Sequence, residues 1–281
     1  MSLSKVAIVR GADPPEMTAR ALQLVNASEV ISCGKLVLIK PNYINTEPPS
    51  TGITTDSRVI EGIVAFLKKH RVNEIVIGEG TGYGDTLDAF KVAGVNEVAE
   101  KWKVRMLDLN RDEFIEVKPD DAVTLKKVKI AKTALSSTIV SVPKLKPHRL
   151  TGVTLSLKNM IGAMTPKGSM HRHLSQNIAD LASAITPRIA VIDGIIAGEG
   201  HETSGNPVEM NLVIAGTDPV AVDAVGAAVM CIAPESVKHL RLAEEKGLGT
   251  CHLERIQVLG EPIEKVRRKF KTSLVAKLSP L

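Results

Sequence analysis

The sequence predicts an α/β fold, a mixed and mostly parallel sheet flanked by helices, and three observations carry that reading. Short aliphatic runs of strand length alternate with stretches whose apolar residues recur at helical spacing. Aromatic residues make up only 2% of the chain, so aliphatic side chains must fill a core that 281 residues are enough to enclose. Glycine- and proline-marked turns follow several of the aliphatic runs, where the loops of such a sheet present polar groups.

In chain order, residues 6–9 read as the first strand, and a helix opens at Pro14-Pro15 and runs through Leu24. Residues 37–40 are a second strand that Pro41 stops. Asp56 is the N-cap of a helix whose Val59, Ile60, Ile63, Val64 and Leu67 share one face. Residues 75–77 form a third strand, 78–84 a glycine-rich turn, and helices follow from Thr86 and over 95–102. Residues 114–117 and 125–130 alternate in strand fashion and predict a small antiparallel ribbon within about 112–130. A buried strand over 138–142 delivers the chain to Lys144, and helix 176–185 precedes strand 189–192. Strand 212–215 and helices over 219–230 and 234–246 complete the pattern. No repeat, low-complexity tract or linker interrupts it, so one compact unit over 1–281 is expected.

Bulk properties narrow the function. The formal charge of +5 is spread out except for Lys265, Arg267, Arg268, Lys269 and Lys271, a cluster read as a solvated face. Single-strand binding needs aromatic stacking platforms that this chain hardly offers, so nucleic acid ranks below a small anionic molecule as partner. Cys33, Cys231 and Cys251 are far apart, which favours a reducing compartment over disulfides and excludes a four-cysteine iron–sulfur site within one chain. The start MSLSKVAIVRG lacks the apolar region of a signal peptide, and no apolar run reaches the length of a membrane span. A soluble cytoplasmic protein is the expectation, with a homo-oligomer left open.

Four segments carry residues suited to chemistry. The first is Lys40-Pro41-Asn42 at a strand end, leading to Thr54, Thr55 and the helix start at Asp56, a cradle for an anion or a simple turn and cap. The second, Glu79-Gly80-Thr81 within the glycine-rich turn, allows close backbone approach to a ligand. It matches neither the P-loop nor a clean dinucleotide fingerprint, and its acidic groups leave room for a metal or a sugar hydroxyl.

The third and most informative segment runs from 142 to 173. It gathers Lys144, Lys146, His148, the Lys158-Asn159 pair, His171 and His173. Lysine supplies a charge or an amine, and histidine a proton relay or a metal ligand at neutral pH. His171 and His173 project together from an extended segment and are the candidate metal ligands. A lone histidine here would read as a loop residue; three beside lysines read as a site. The fourth segment begins at Asp193, taken to follow a strand directly and so to be a candidate catalytic carboxylate. Asp218 reads as an N-cap, and Asp223, inside an apolar helix, needs a partner such as a lysine or a loop.

Together these segments resemble the family catalogued as domain of unknown function 362. The resemblance rests on Lys40-Pro41-Asn42, Gly52-Ile53-Thr54-Thr55-Asp56, Gly78-Glu79-Gly80, Lys144-Leu145-Lys146-Pro147-His148, Thr154 to Asn159, Asp193-Gly194 and Asp218 to Asp223, over about 35–230. Some members carry ferredoxin-like iron–sulfur modules and are linked to redox chemistry, but this chain lacks the cysteines for one. In spacing alone the chain is also similar to the nickel-pincer lactate racemases, which place a cofactor-bearing lysine between histidines. There Lys158, His148 and His171 or His173 would take comparable positions, although residues 78–84 contain no histidine where that family has a catalytic one.

The expectation is an enzyme for a small anionic substrate or nucleotide-like cofactor, with isomerase- or redox-type proton or hydride chemistry. His148, Lys158 and Asp193 are its catalytic candidates, while Lys40, Lys146, Asn42, Thr54, Thr55, Glu79, Gly80, Thr81 and Asn159 bind. Two cofactor classes stay open, a divalent transition metal on His171 and His173 and a covalently held organic group. A non-catalytic metal or cofactor carrier is the alternative.

Overall fold

A computed structural model describes residues 3–31 and 36–272, so Cys33 lies outside the described residues. The first half runs β1 (Ser4–Arg10), α1 (Pro14–Leu24), β2 (Val37–Pro41), α2 (Ser57–Lys69), β3 (Ile75–Glu79), α3 (Thr86–Val92), α4 (Val95–Trp102) and β4 (Arg105–Asp108). The middle contains β5 (Phe114–Val117), β6 (Val128–Ala131), α5 (Lys132–Leu135), β7 (Thr138–Val142), β8 (Pro147–His148), β9 (Gly152–Val153), α6 (Leu155–Asn159) and β10 (Met164–Thr165). Then follow α7 (Leu174–Ala184), β11 (Ile189–Glu199), β12 (Asn206–Gly216), α8 (Pro219–Val229), α9 (Lys238–Glu245), β13 (Ile256–Gly260) and α10 (Ile263–Val266).

Eight strands form one sheet in the order β13-β1-β12-β11-β7-β2-β3-β4. Only β12 runs against its neighbours, so the sheet is mixed and mostly parallel. Its strands alternate between two apolar layers, as a period of two requires. Ala7, Val37, Ile39, Ile77, Val140 and Val191 face the layer covered by α1, α2, α3 and α4. Ile8, Leu38, Val76, Ile139 and Ile192 face the layer built with α7, α8 and α9. This is the α/β architecture the periodicity predicts.

The expected ribbon is present as β5 and β6, and it gains a third antiparallel strand, β10, from the histidine-bearing segment. Asp56, Asp85 and Asp218 cap α2, α3 and α8 by accepting backbone N–H groups. The helix expected over 234–246 divides into a 3-10 turn over Pro234–Ser236 and α9. The basic residues from Lys265 to Lys271 are exposed, a solvated face as read from sequence.

Two local readings need correction. Strand β11 does not end at Ile192; it continues through Asp193 to Glu199, with a shift in register between Gly194 and Ile196. The apolar alternation breaks at Asp193, yet pairing with β12 carries the backbone onward. His171 and His173 lie on a 3-10 run over Lys167–His173 rather than on an extended segment. None of the helices among the described residues is long and apolar enough to cross a membrane.

Candidate functional site

Strands β2, β3 and β7 are adjacent and parallel, and their carboxyl ends bring Lys40, Glu79 and the Lys144–His148 segment together. A cleft opens over these ends, the usual ligand position in such sheets. It has an inner lobe of about 70 Å³ and two outer lobes of about 360 and 260 Å³, and Ile44 and Lys158 line all three. The outer volumes are of the size that holds a small molecule.

The inner wall is a tied network. Lys40, fully buried, donates from Nζ to Glu79 Oε1 at 2.6 Å, to the Pro41 carbonyl at 3.1 Å and to Asn159 Oδ1 at 3.2 Å. Asn159 donates back to the Lys40 carbonyl at 3.0 Å and to Ser141 Oγ at 3.1 Å. Glu79 also accepts the backbone N–H groups of Tyr43 at 3.0 Å and Gly80 at 2.7 Å. Burial lowers the Lys40 ammonium and the Glu79 charge opposes that shift. Gly162 presses on this pair; a Cβ there would fall 2.6 Å from Lys40 Nζ and closer still to Glu79 Oε1.

Lys158 differs from Lys40 in having no partner. It is half-buried, and its ammonium makes no hydrogen bond or ion pair among the described residues. Burial lowers it to about 8, against a smaller raising effect from Glu202. Lys146 is buried and donates only to the carbonyls of Ile53 at 2.8 Å and Glu202 at 3.0 Å. Burial, then the charges of Lys158 and Lys144, lower it to about 7. Gly52 holds the Ile53 loop in place: its φ is +75°, and a Cβ would overlap the Ala197 carbonyl on β11.

His148 borders the same lobe. Its Nδ1 accepts the N–H groups of Leu150 at 3.2 Å and Thr151 at 3.3 Å, so the ring proton must sit on Nε2, which lies 3.5 Å from Glu202 Oε1. Burial and then the neighbouring Lys158 hold the imidazole near 2, so it is neutral at physiological pH. Glu202 also meets Arg149 Nε at 3.1 Å. Five cationic side chains, Lys40, Lys146, Arg149, Lys158 and Lys167, line the cleft against two carboxylates, Glu79 and Glu202. Three residues of its wall, Asn42, Tyr43 and Thr154, have a buried side-chain oxygen with no hydrogen-bond partner among the described residues.

Helix α6 presents Lys158 and Asn159, and its start is held from below. Asp223 on α8 is fully buried and accepts the N–H groups of Ser156 at 2.7 Å and Leu157 at 2.9 Å. Its partner is therefore the start of a helix, neither the lysine nor the loop of the sequence reading. Burial raises its carboxyl to about 8 despite those donors. Leu155 just before has a φ of +25°, a conformation a buried leucine holds only when its surroundings fix it.

The remaining candidates separate. Asp193 is fully buried; it accepts from Lys144 Nζ and the Asp56 N–H, each at 2.7 Å, and from the Ile195 N–H at 2.9 Å. It is a strut joining β11, β7 and the start of α2, with every oxygen engaged inside the protein. Thr54 Oγ1 donates to the Glu47 carbonyl and Thr55 Oγ1 to the Val142 carbonyl, so both hydroxyls tie down the loop before α2. Gly80 lines the inner lobe, while the Thr81 hydroxyl is buried without a partner among the described residues. His171 lines both outer lobes and is exposed; His173 is exposed and stands among none of their lining residues. Lys167 and Arg149 also line the cleft but carry no distinctive sequence pattern, whereas Glu202 and His201, which line it too, fall in the glycine-flanked polar run after Asp193.

The sequence model of the family described as Domain of unknown function (DUF362) matches residues 37–228, which include every strand end that meets at this cleft. The chain belongs to this family. The DUF362 region thus holds Lys40, Glu79, Lys146, His148, Lys158 and Glu202 together. A curated relative, the thylakoid-associated protein of Synechocystis sp., is 24% identical over 249 residues, covering 85% of this chain and 76% of that protein. No solved structure gives a significant match.

Proposed function

We propose that this DUF362 chain binds a small anion in the cleft and acts on it as an enzyme by acid–base chemistry. The observation that carries the reading is Lys158, a cation without a partner among the described residues, at the junction of three lobes. A charge partly withdrawn from water and left unpaired is under-compensated, and a carboxylate or phosphate group in the cleft compensates it. Lys146 adds a second charge compensated only by carbonyls. The unsatisfied Asn42 and Thr154 atoms then face polar groups of the bound molecule.

In this reading Lys158 and Lys146 hold the anionic group. Neutral His148 keeps its proton on Nε2 and orients Glu202 beside it, and the Glu202 carboxylate moves a proton at the reacting atom. Lys40, Glu79 and Asn159 fix the inner wall so that the two unpaired lysines keep their places. A transition metal or a covalently held organic group would supply isomerase- or redox-type chemistry here, with His171 bordering both outer lobes.

Calorimetric titration with phosphate, pyrophosphate, nucleotides and short hydroxy- and dicarboxylates tests the proposal. At least one should bind, and Lys158→Met should weaken it about 10- to 100-fold, the size of a lost charge-assisted hydrogen bond. Equal affinity in Lys158→Met refutes the assignment. Glu202→Gln separates enzyme from carrier: retained binding with lost conversion of the bound anion, followed by NMR, marks an enzyme.

A further inference from the structure

Away from the cleft, the end of α9 and the segment after it assemble a second group of ligating side chains. Glu244, Cys251 and His252 bring one atom each within 4.8 Å of one another. Glu244 Oε2 lies 3.0 Å from Cys251 Sγ and 3.4 Å from His252 Nε2. Metal bonds of ~2.0 to 2.3 Å in a tetrahedral zinc site place neighbouring ligand atoms roughly 3.3 to 3.8 Å apart. Both atoms measured from Glu244 Oε2 are thus within a few tenths of an ångström of that spacing.

The surroundings favour that arrangement independently. Glu244 Oε1 is engaged by Thr250 Oγ1 at 2.8 Å and Arg255 Nη1 at 3.2 Å, which turns Oε2 alone toward the thiol and the ring. The other ring nitrogen, His252 Nδ1, faces Glu254 Oε1 at 3.6 Å and Glu235 Oε1 at 4.0 Å. A carboxylate behind a ligating histidine is the usual outer partner that orients the ring and raises its basicity. Cys251 is fully buried at the edge of the apolar layer, and its sulfur meets Glu244 there.

We infer that Glu244, Cys251 and His252 bind one divalent cation of the zinc class, with a water completing the fourth position. Binding transfers the Cys251 thiol proton to solvent and leaves the thiolate on the metal; no electron moves. The ion would clamp residues 250–252 to the end of α9, whose first turn carries the buried His239. This inference is independent of the anion reading.

The test uses the full chain without a polyhistidine tag, with Cys33→Ser and Cys231→Ser so that Cys251 is the sole thiol. After chelator treatment it is titrated with Co²⁺. One equivalent should bind with a thiolate-to-cobalt charge-transfer band in the near ultraviolet, and Zn²⁺ should abolish the band. His252→Ala, which alters a half-exposed ring outside the core, should weaken binding at least about 10-fold, and Glu235→Gln by about 10-fold. Absence of the band, or an unchanged band and affinity in His252→Ala, overturns the site.

Discussion

At the scale of single residues, pairing separates the buried and half-buried lysines. Lys40 and Lys144 each meet a carboxylate at 2.6 and 2.7 Å, whereas among the described residues Lys146 meets only carbonyls and Lys158 meets nothing. Replacing Asp193 by Asn leaves the Lys144 ammonium buried without its counter-charge, and should cost about 3 to 5 kcal/mol in urea unfolding. The unpaired lysines predict a pH dependence instead. Their ammonium groups sit near 7 and 8, so anion affinity should be steady below pH 6 and fall as pH rises through that window. Calorimetry across pH 6 to 9 checks this; an affinity that rises with pH would contradict it. Stability of the free protein should move the opposite way between about pH 8 and 10.5, because there the unfolded Lys158 holds the proton that the folded one has lost. Residue type alone pointed to Lys146, His148 and Lys158. Asp193 reads as a strand end in the sequence because the true end is invisible when the partner strand, not the strand's own pattern, carries it further.

Among elements, α6 is the one on which the site depends. It is only five residues long, too short to hold itself, and its first turn is fixed by Asp223 from α8. Asp223→Ala would orphan two buried N–H groups at ~1 to 3 kcal/mol each, and would relax the strained Leu155. We expect a lower unfolding midpoint together with weaker anion binding, although Asp223 contacts no cleft atom. Stability loss with unchanged affinity would show that α6 keeps its place by other contacts. Helices α1 to α4 were legible to the residue or nearly so, since proline, aspartate caps and apolar spacing mark them in the sequence. The Met160–Thr165 stretch was not: its 3-10 turn and short β10 arise from pairing with the ribbon. Gly162, whose missing side chain admits the Lys40–Glu79 pair, gave no local hint of that role.

For the whole molecule, the α/β class followed from alternation because each strand has to satisfy two apolar layers at once. The strand order did not follow, since β12 reverses direction for reasons set by tertiary pairing rather than by its own sequence. That order has a kinetic consequence. Strand β2 pairs with β7 in the register Val37 to Thr138, a closure of about a hundred residues in the middle of the sheet. Lys40, Lys146, Lys158 and Glu202 cannot meet before it forms, so an anion has nothing to hold in a partly folded chain. Mass action then makes the ligand a reporter of global folding: at a hundred times its Kd it should add ~2.7 kcal/mol to the unfolding free energy. A melting-temperature screen of metabolite anions can therefore find the cleft's occupant before any turnover assay exists.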